Sequence, residues 1–152
     1  MKAMTVGFIF DHHLANVLLI KKNRPEWQKG YYNGVGGHLE LKEMSEGDWA
    51  GSWCREVSEE VGLVLSRLRV IQIGRIVVND IIVIVYAYKL SEDGSEGSVQ
   101  KMTDEIPRWF DPKLIVLHII ENLSFFIPFA RYVLKHQSNL YNSTRIELHY
   151  KK

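Results

Sequence analysis

The chain has 152 residues, with 46% hydrophobic and 24% charged side chains, the make-up of one soluble globular domain spanning 1–152 with a real core. A formal net charge of +1 without a basic run speaks against a nucleic-acid duplex as partner, although a free nucleotide needs only a local positive site. The single cysteine, Cys54, excludes an internal disulfide, and the apolar run Thr5 to Phe10 is too short for a signal peptide or membrane span, so a cytoplasmic protein with no membrane partner is expected.

Residues 3–10 and 16–22 read as two β-strands around a short polar connection, and the second ends in Lys21-Lys22-Asn23-Arg24 before Pro25. Lys22 and Arg24 are candidate contacts for a substrate phosphate. His12 and His13 have no spaced partner and read as surface residues. The aromatic segment Trp27 to Tyr32 leads into Asn33-Gly34-Val35-Gly36-Gly37-His38, where the glycines let a backbone approach a phosphate closely. Trp27, Tyr31 and Tyr32 are candidates for stacking on a base.

A helix follows. On a wheel of about 100° per residue, Ala50, Trp53, Cys54, Val57 and Val61 form an apolar stripe with Trp49 beside it, and Gly62 supplies a left-handed cap. Glu56, Glu59 and Glu60 border that stripe, with Glu60 where burial is otherwise expected. Like-charge pairs at these spacings cost a helix about 0.2–0.5 kcal/mol each. A divalent cation removes that cost, and hard Mg2+ suits such an oxygen cluster.

Beyond the helix, Leu68 to Val78 and Asp80 to Leu90 read as a central pair of strands turning at Asn79-Asp80, and Ser91 to Ser98 as a flexible polar loop. Thr103 to Phe110 carries Glu105 ahead of Trp109-Phe110. Asp111-Pro112 opens a helical region through Leu114 to Ile120, and a second helix is predicted from Asn122 to about His136, with Phe125, Phe126, Phe129, Tyr132 and Val133 as its core stripe. Residues 137–152 form a polar tail in which alternation predicts a last strand at Thr144 to Tyr150.

The run Gly37, Glu43, Arg55, Glu56, Val57, Glu59, Glu60, Gly62 and Leu63 resembles the Nudix box in residue type and order. The resemblance is to the Nudix hydrolases, and to their MutT-like nucleoside triphosphate pyrophosphatase branch. One departure stands out: residues 44 to 54 make the spacing between Glu43 and Arg55 four longer than the family's, so a longer loop or an extra turn is expected there and the role of Glu43 is open.

What the resemblance implies is an α+β fold with a mixed β-sheet sandwiched between α-helices (α/β/α), and Mg2+ (or Mn2+) held by Gly36 through its carbonyl, Glu56, Glu59, Glu60 and Glu105. The implied reaction is hydrolysis of a nucleoside triphosphate, such as the oxidised 8-oxo-dGTP, to monophosphate and pyrophosphate, with Glu56, Glu59 or Glu105 taking the water's proton. Arg55 belongs to the same catalytic group as an orienting residue, Asn33 matches a base-reading asparagine, His38 lies near the phosphates, and Asn122 stands where an acid reads the base edge. ADP-ribose or nucleotide-sugar hydrolysis is the alternative, as is a non-catalytic nucleotide-binding domain. The oligomer is a monomer or homodimer on this reading.

Overall fold

The computed structural model describes residues 2–113, 119–120, 123–137 and 146–150. Strands β1 (Lys2–Phe10), β2 (Val17–Lys21), β3 (Tyr32–Asn33), β4 (Val35–His38), β5 (Ile71–Val78), β6 (Ile81–Lys89), β7 (Ile106–Phe110) and β8 (Ile146–Tyr150) share one mixed sheet. Its main path is β3-β2-β1-β6-β5-β8, with β4 on β1 and β7 on β2. The central pair is therefore the parallel β1 and β6, rather than the two strands joined at Asn79-Asp80. Those two are neighbours in an antiparallel hairpin, with Asn79 at φ 53° in the turn.

Side-chain alternation assigns each strand residue to one of two cores. Phe8, Phe10, Val17, Leu19, Val85 and Ala87 face α3 (Leu123–Lys135), whereas Ile9, Leu18, Ile20, Ile84, Tyr86 and Tyr88 face α2 (Trp49–Val61). Strands covered on both faces read as nearly continuous apolar runs, which is why β1, β2 and β6 carry so few charges. The expected layering of helix, sheet and helix is present.

One edge of β1 is shared. Ile9 and Phe10 pair with β2, while Met4 to Gly7 pair with β4. Because β3 pairs with Ile20 and Lys21 of β2, residues 32–38 form a wedge between two diverging strands. This wedge carries the glycines to the face covered by α2.

Several boundaries differ from the sequence reading. The region 67–69 is a 3-10 turn and β5 starts only at Ile71; a 3-10 turn, Glu26–Gln28, replaces extended chain before β3. The insertion folds as a short helix, α1 (Leu41–Glu46), ending at Gly47, and Asp48 then caps α2 by accepting the Gly51 N–H at 2.9 Å. Ile119 makes a parallel bridge to Tyr32 instead of helix; residues 114–118 lie outside the described residues. On α3 the buried stripe is Leu123, Phe126, Ile127, Ala130, Val133 and Leu134, so Phe125 and Tyr132 are exposed rather than core. The tail contributes β8, parallel to β5. No helix among the described residues is long and apolar enough to cross a membrane.

The loop after β6 is built around Glu96. Its carboxylate is buried and accepts from the Ser91 N–H at 2.9 Å, the Ser91 hydroxyl at 2.7 Å, the Tyr88 hydroxyl at 3.0 Å and the Arg69 guanidinium at 3.0 Å. The composition of Ser91 to Ser98 suggests flexibility, but this carboxylate gives the loop a fixed anchor.

Candidate active site

Trp53 sets α2 against the sheet. Its ring is fully buried beside Tyr86, 5.5 Å between centroids, and its Nε1–H donates to the Val35 carbonyl at 2.9 Å. That bond fixes the helix relative to β4, and so to Gly36 and Gly37. Two turns on, Gly62 at φ 74° stops the helix with Glu60 close to its end.

Against β4, Glu56 lies over Gly37 so closely that a methyl group there would overlap its carboxylate. The Glu56 side chain could give way there, whereas a methyl group on Gly36 would strike the backbone of Thr5 and Val6, so Gly36 is the glycine that close approach requires. Burial raises the Glu56 carboxyl above its ordinary range, with the neighbouring Arg55 charge opposing. Glu60 is raised further, to about 7: burial is the main cause, the Lys22 charge opposes it, and Glu56 and Glu105 add to it. Its Oε2 is buried with no hydrogen-bond partner.

Arg55 organises the outer side of the group. Its Nε donates to Glu43 Oε1 at 2.7 Å, and its two terminal nitrogens lie 3.0 Å from Glu56 Oε1 and 2.9 Å from Glu59 Oε2. Glu43 also accepts from the Ser52 hydroxyl at 2.8 Å and the Glu40 N–H at 2.7 Å. The Arg55 hydrogen bond is the chief reason its carboxyl is held down to about 2. The open question about Glu43 receives an answer: it secures the inserted helix to Arg55.

Glu105 arrives by another route. The segment after Glu96 crosses the C-terminus of α2, where the Gln100 N–H bonds the Val61 carbonyl at 2.9 Å and the Met102 N–H the Glu60 carbonyl at 3.4 Å. Strand β7 then pairs with β2, Ile106 opposite Lys21. That register brings Glu105 to Lys22, with Nζ 2.8 Å from Oε2. Asp104 pairs with Arg24 at 2.7 Å in the same way, though in solvent.

The structure therefore brings Glu56, Glu59, Glu60, Glu105, Lys22 and Arg55 together beside Gly36 and Gly37. His38 is exposed, and its carbonyl lies 3.5 Å from an Arg55 nitrogen. Asn33 accepts the Gly34 N–H at 2.7 Å and donates to Gln28 at 3.2 Å. Tyr32 packs edge-on against Phe110, 4.7 Å between centroids, whereas Trp27 and Tyr31 are exposed. Asn122 lies outside the described residues. A surface cleft of about 490 Å3 lies at the other end of α2, lined by Asp48, Trp49, Arg67 and Gln72. Ala50 there and Glu60 are about 15 Å apart along the axis at 1.5 Å per residue, so the cleft is separate from the acids.

Among the described residues no three of His, Cys, Asp or Glu already converge on one point. The reason is visible, since Glu59 is held by Arg55 and Glu105 by Lys22. The partnerless, buried Glu60 Oε2 and the all-oxygen donor set nevertheless fit a hard cation.

No family model matches the chain, and no curated protein does. Solved structures do. A MutT NUDIX hydrolase from Burkholderia pseudomallei superposes with a TM-score of 0.66 at 20% identity, over 84% of this chain and 95% of that one. The fold is that of the Nudix hydrolases. The NUDIX domain of NrtR from Shewanella oneidensis, complexed with ADP ribose, gives a TM-score of 0.68 at 15% identity, covering 87% of each chain. A bifunctional NMN adenylyltransferase/ADP ribose pyrophosphatase from Francisella tularensis, complexed with AMP and a Mn ion, gives 0.62 at 16% identity, over 89% of this chain and 41% of that one. Within the Nudix fold, the glutamate-bearing α2 and glycine-bearing β4 are the parts that the sequence motif spans.

Sequence reasoning missed four features of the site and its surroundings. The Lys22–Glu105 and Arg24–Asp104 pairs depend on the β2–β7 register, which no local pattern encodes. The Arg55–Glu43 bond crosses the insertion. Glu96 had no signal beyond being an acid in a Gly/Ser loop.

Proposed function

We propose that the chain is a Mg2+-dependent hydrolase, with Mn2+ as a substitute, that cuts a nucleoside triphosphate such as 8-oxo-dGTP to the monophosphate and pyrophosphate. The observation that carries this reading is the buried, partnerless Glu60 Oε2 among Glu56, Glu59 and Glu105, next to a strand of glycines. Glu56, Glu60, Glu105 and the Gly36 carbonyl are the oxygens that would hold the cation, with Glu59 joining once Arg55 releases it. The cation supplies Lewis-acid charge neutralisation at phosphate oxygens and a more acidic bound water.

The chain's own groups do the rest. Barriers in phosphoryl transfer are lowered chiefly by positioning and charge. Gly36 and Gly37 let β4 pass close to β1 and to Glu56. Glu56, raised by burial, is suited to take a proton from water, and Arg55 orients Glu56 and Glu59. Arg24, exposed at the rim, offers a cation to the polyphosphate, and Asn33 an amide to the base.

ADP ribose is the second substrate class, favoured by the ligand in the Shewanella structure. A panel of canonical and oxidised dNTPs, NTPs, ADP-ribose and nucleotide sugars, incubated with Mg2+ or EDTA, separates the readings. Pyrophosphate from a triphosphate, abolished by EDTA, is the expected outcome. Release of AMP from ADP-ribose alone moves the assignment to the second class. No turnover of any compound by folded protein removes the hydrolase reading and leaves a nucleotide-binding domain.

A further inference from the structure

Cations already stand among the acids. Lys22 Nζ lies 2.8 Å from Glu105 Oε2, and the two side chains keep only 15% and 7% of their exposure. Glu105 Oε1 takes a second bond, from the Asn23 N–H at 3.2 Å, so both of its oxygens are committed. The Lys22 charge also reaches Glu60, whose own Oε2 has no partner. Lysine offers a compact, strongly charged head on a flexible four-carbon stem.

We propose that Lys22 is the resident cation of the metal-free site, and that a divalent ion taken up by Glu60 and Glu105 displaces its ammonium. The proposal rests on the hydrolase reading above and adds an order of events to it. Buried carboxylates close to one another cannot all keep their charge without a positive partner. Lys22 provides one for Glu105 and a weaker field for Glu60. A cation bonded to Glu105 needs the oxygen that Lys22 now occupies, and the two positive charges repel at that range. Displacement requires no backbone change, because Lys22 is the first residue beyond β2 and its stem can swing by rotamer changes alone. Once released, the ammonium is free to pair with a polyanion instead of Glu105. Metal uptake thus prepares the site for a polyanion, and the two binding events are coupled.

The test uses the wild-type chain, Mg2+ and no nucleotide. Amines are labelled by reductive methylation with and without saturating Mg2+, each lysine is followed by peptide mapping, and Mg2+ binding is measured in parallel by calorimetry. Labelling of Lys22 should become several times faster with Mg2+, while exposed Lys21 keeps its rate. Lys22→Met should bind Mg2+ about tenfold more tightly than wild type, since a competing charge is gone, and Lys22→Arg should not. Mg2+ binding with Lys22 labelling unchanged overturns the proposal and leaves the hydrolase reading standing. Equal Mg2+ affinity in wild type and Lys22→Met also overturns it. Failure of the folded protein to bind Mg2+ or Mn2+ at all removes both.

Discussion

Arg55 Nε donates to Glu43 Oε1 at 2.7 Å, tying the inserted helix α1 to the helix that carries Glu56, Glu59 and Glu60. Because Arg55 also pairs with Glu56 and Glu59, its direction depends on Glu43. Glu43→Gln should lower unfolding free energy by about 1–2 kcal/mol, the range for a partly buried, charge-assisted hydrogen bond. The Glu43 carboxyl titrates near 2 in the folded chain against an ordinary 4.5, so its contribution is present above about pH 4.5 and fades as pH falls toward 2. Urea unfolding of both proteins at pH 7 and pH 3 measures the gap, which should shrink at the lower pH.

The acids differ in what their removal should do. Glu59 is mostly exposed, so Glu59→Gln should leave the unfolding midpoint within about 0.5 kcal/mol of wild type while turnover falls by orders of magnitude. An unchanged rate in a metal-titrated assay removes Glu59 from the catalytic group. Glu60→Gln should behave otherwise. Replacing a buried carboxylate that has a partnerless oxygen with a neutral amide should raise the melting temperature in EDTA and reduce the further rise that Mg2+ gives wild type. Thermal melts of both proteins with EDTA and with Mg2+ check this.

Trp53 is the link between packing and site. It is fully buried, its ring lies against Tyr86, and its Nε1–H holds the Val35 carbonyl at 2.9 Å, one residue before Gly36. Trp53→Ala should cost about 3–5 kcal/mol in denaturant unfolding. Trp53→Phe keeps most of the apolar volume and loses the donor, so about 1–3 kcal/mol is expected. The Phe variant is the informative one, because freeing β4 from α2 should also weaken Mg2+ binding measured on protein that remains folded. Mg2+ affinity equal to wild type would show that Gly36 and Gly37 are held in place without that bond.

What could be read in the sequence was what depends on near neighbours. The apolar spacing of Trp53, Val57 and Val61 and the cap at Gly62 gave the buried face and the C-terminal end of α2, since both are local to one helix. The apolar, Val/Ile-rich runs of β1 and β6 gave strands, but their parallel pairing joins residues about eighty apart in the chain and has no local signature. The same distance hides Lys22 from Glu105. Phe125 and Phe126 are adjacent, and a difference in helix phase decides that the first is exposed and the second buried. The acids of α2 and the orienting Arg55 beside them were legible, whereas the pairing of Lys22 with Glu105 was not.

Glu96 offers the sharpest test of a feature hidden in composition. Its carboxylate is buried in a loop of serines and glycines, and burial by itself would raise its pKa. Hydrogen bonds from Ser91 and Tyr88 outweigh that and hold it down to about 2. Lowered from an ordinary 4.5, this group stabilises the fold above about pH 4.5 and loses that effect as pH falls toward 2. A shift of this size corresponds to about 3 kcal/mol at neutral pH. Glu96→Gln cannot accept all of these bonds with the same charge, and its amide must place one N–H among donors. It should therefore be less stable than wild type by about 2–3 kcal/mol at pH 7, with the difference closing between pH 4.5 and 2. Because the segment from Glu96 to Met102 crosses the end of α2 and leads to Glu105, limited proteolysis of the variant should cut first within residues 91–102. A stability gap that stays constant from pH 7 down to pH 2 would mean that Glu96 acts by shape alone, without its charge.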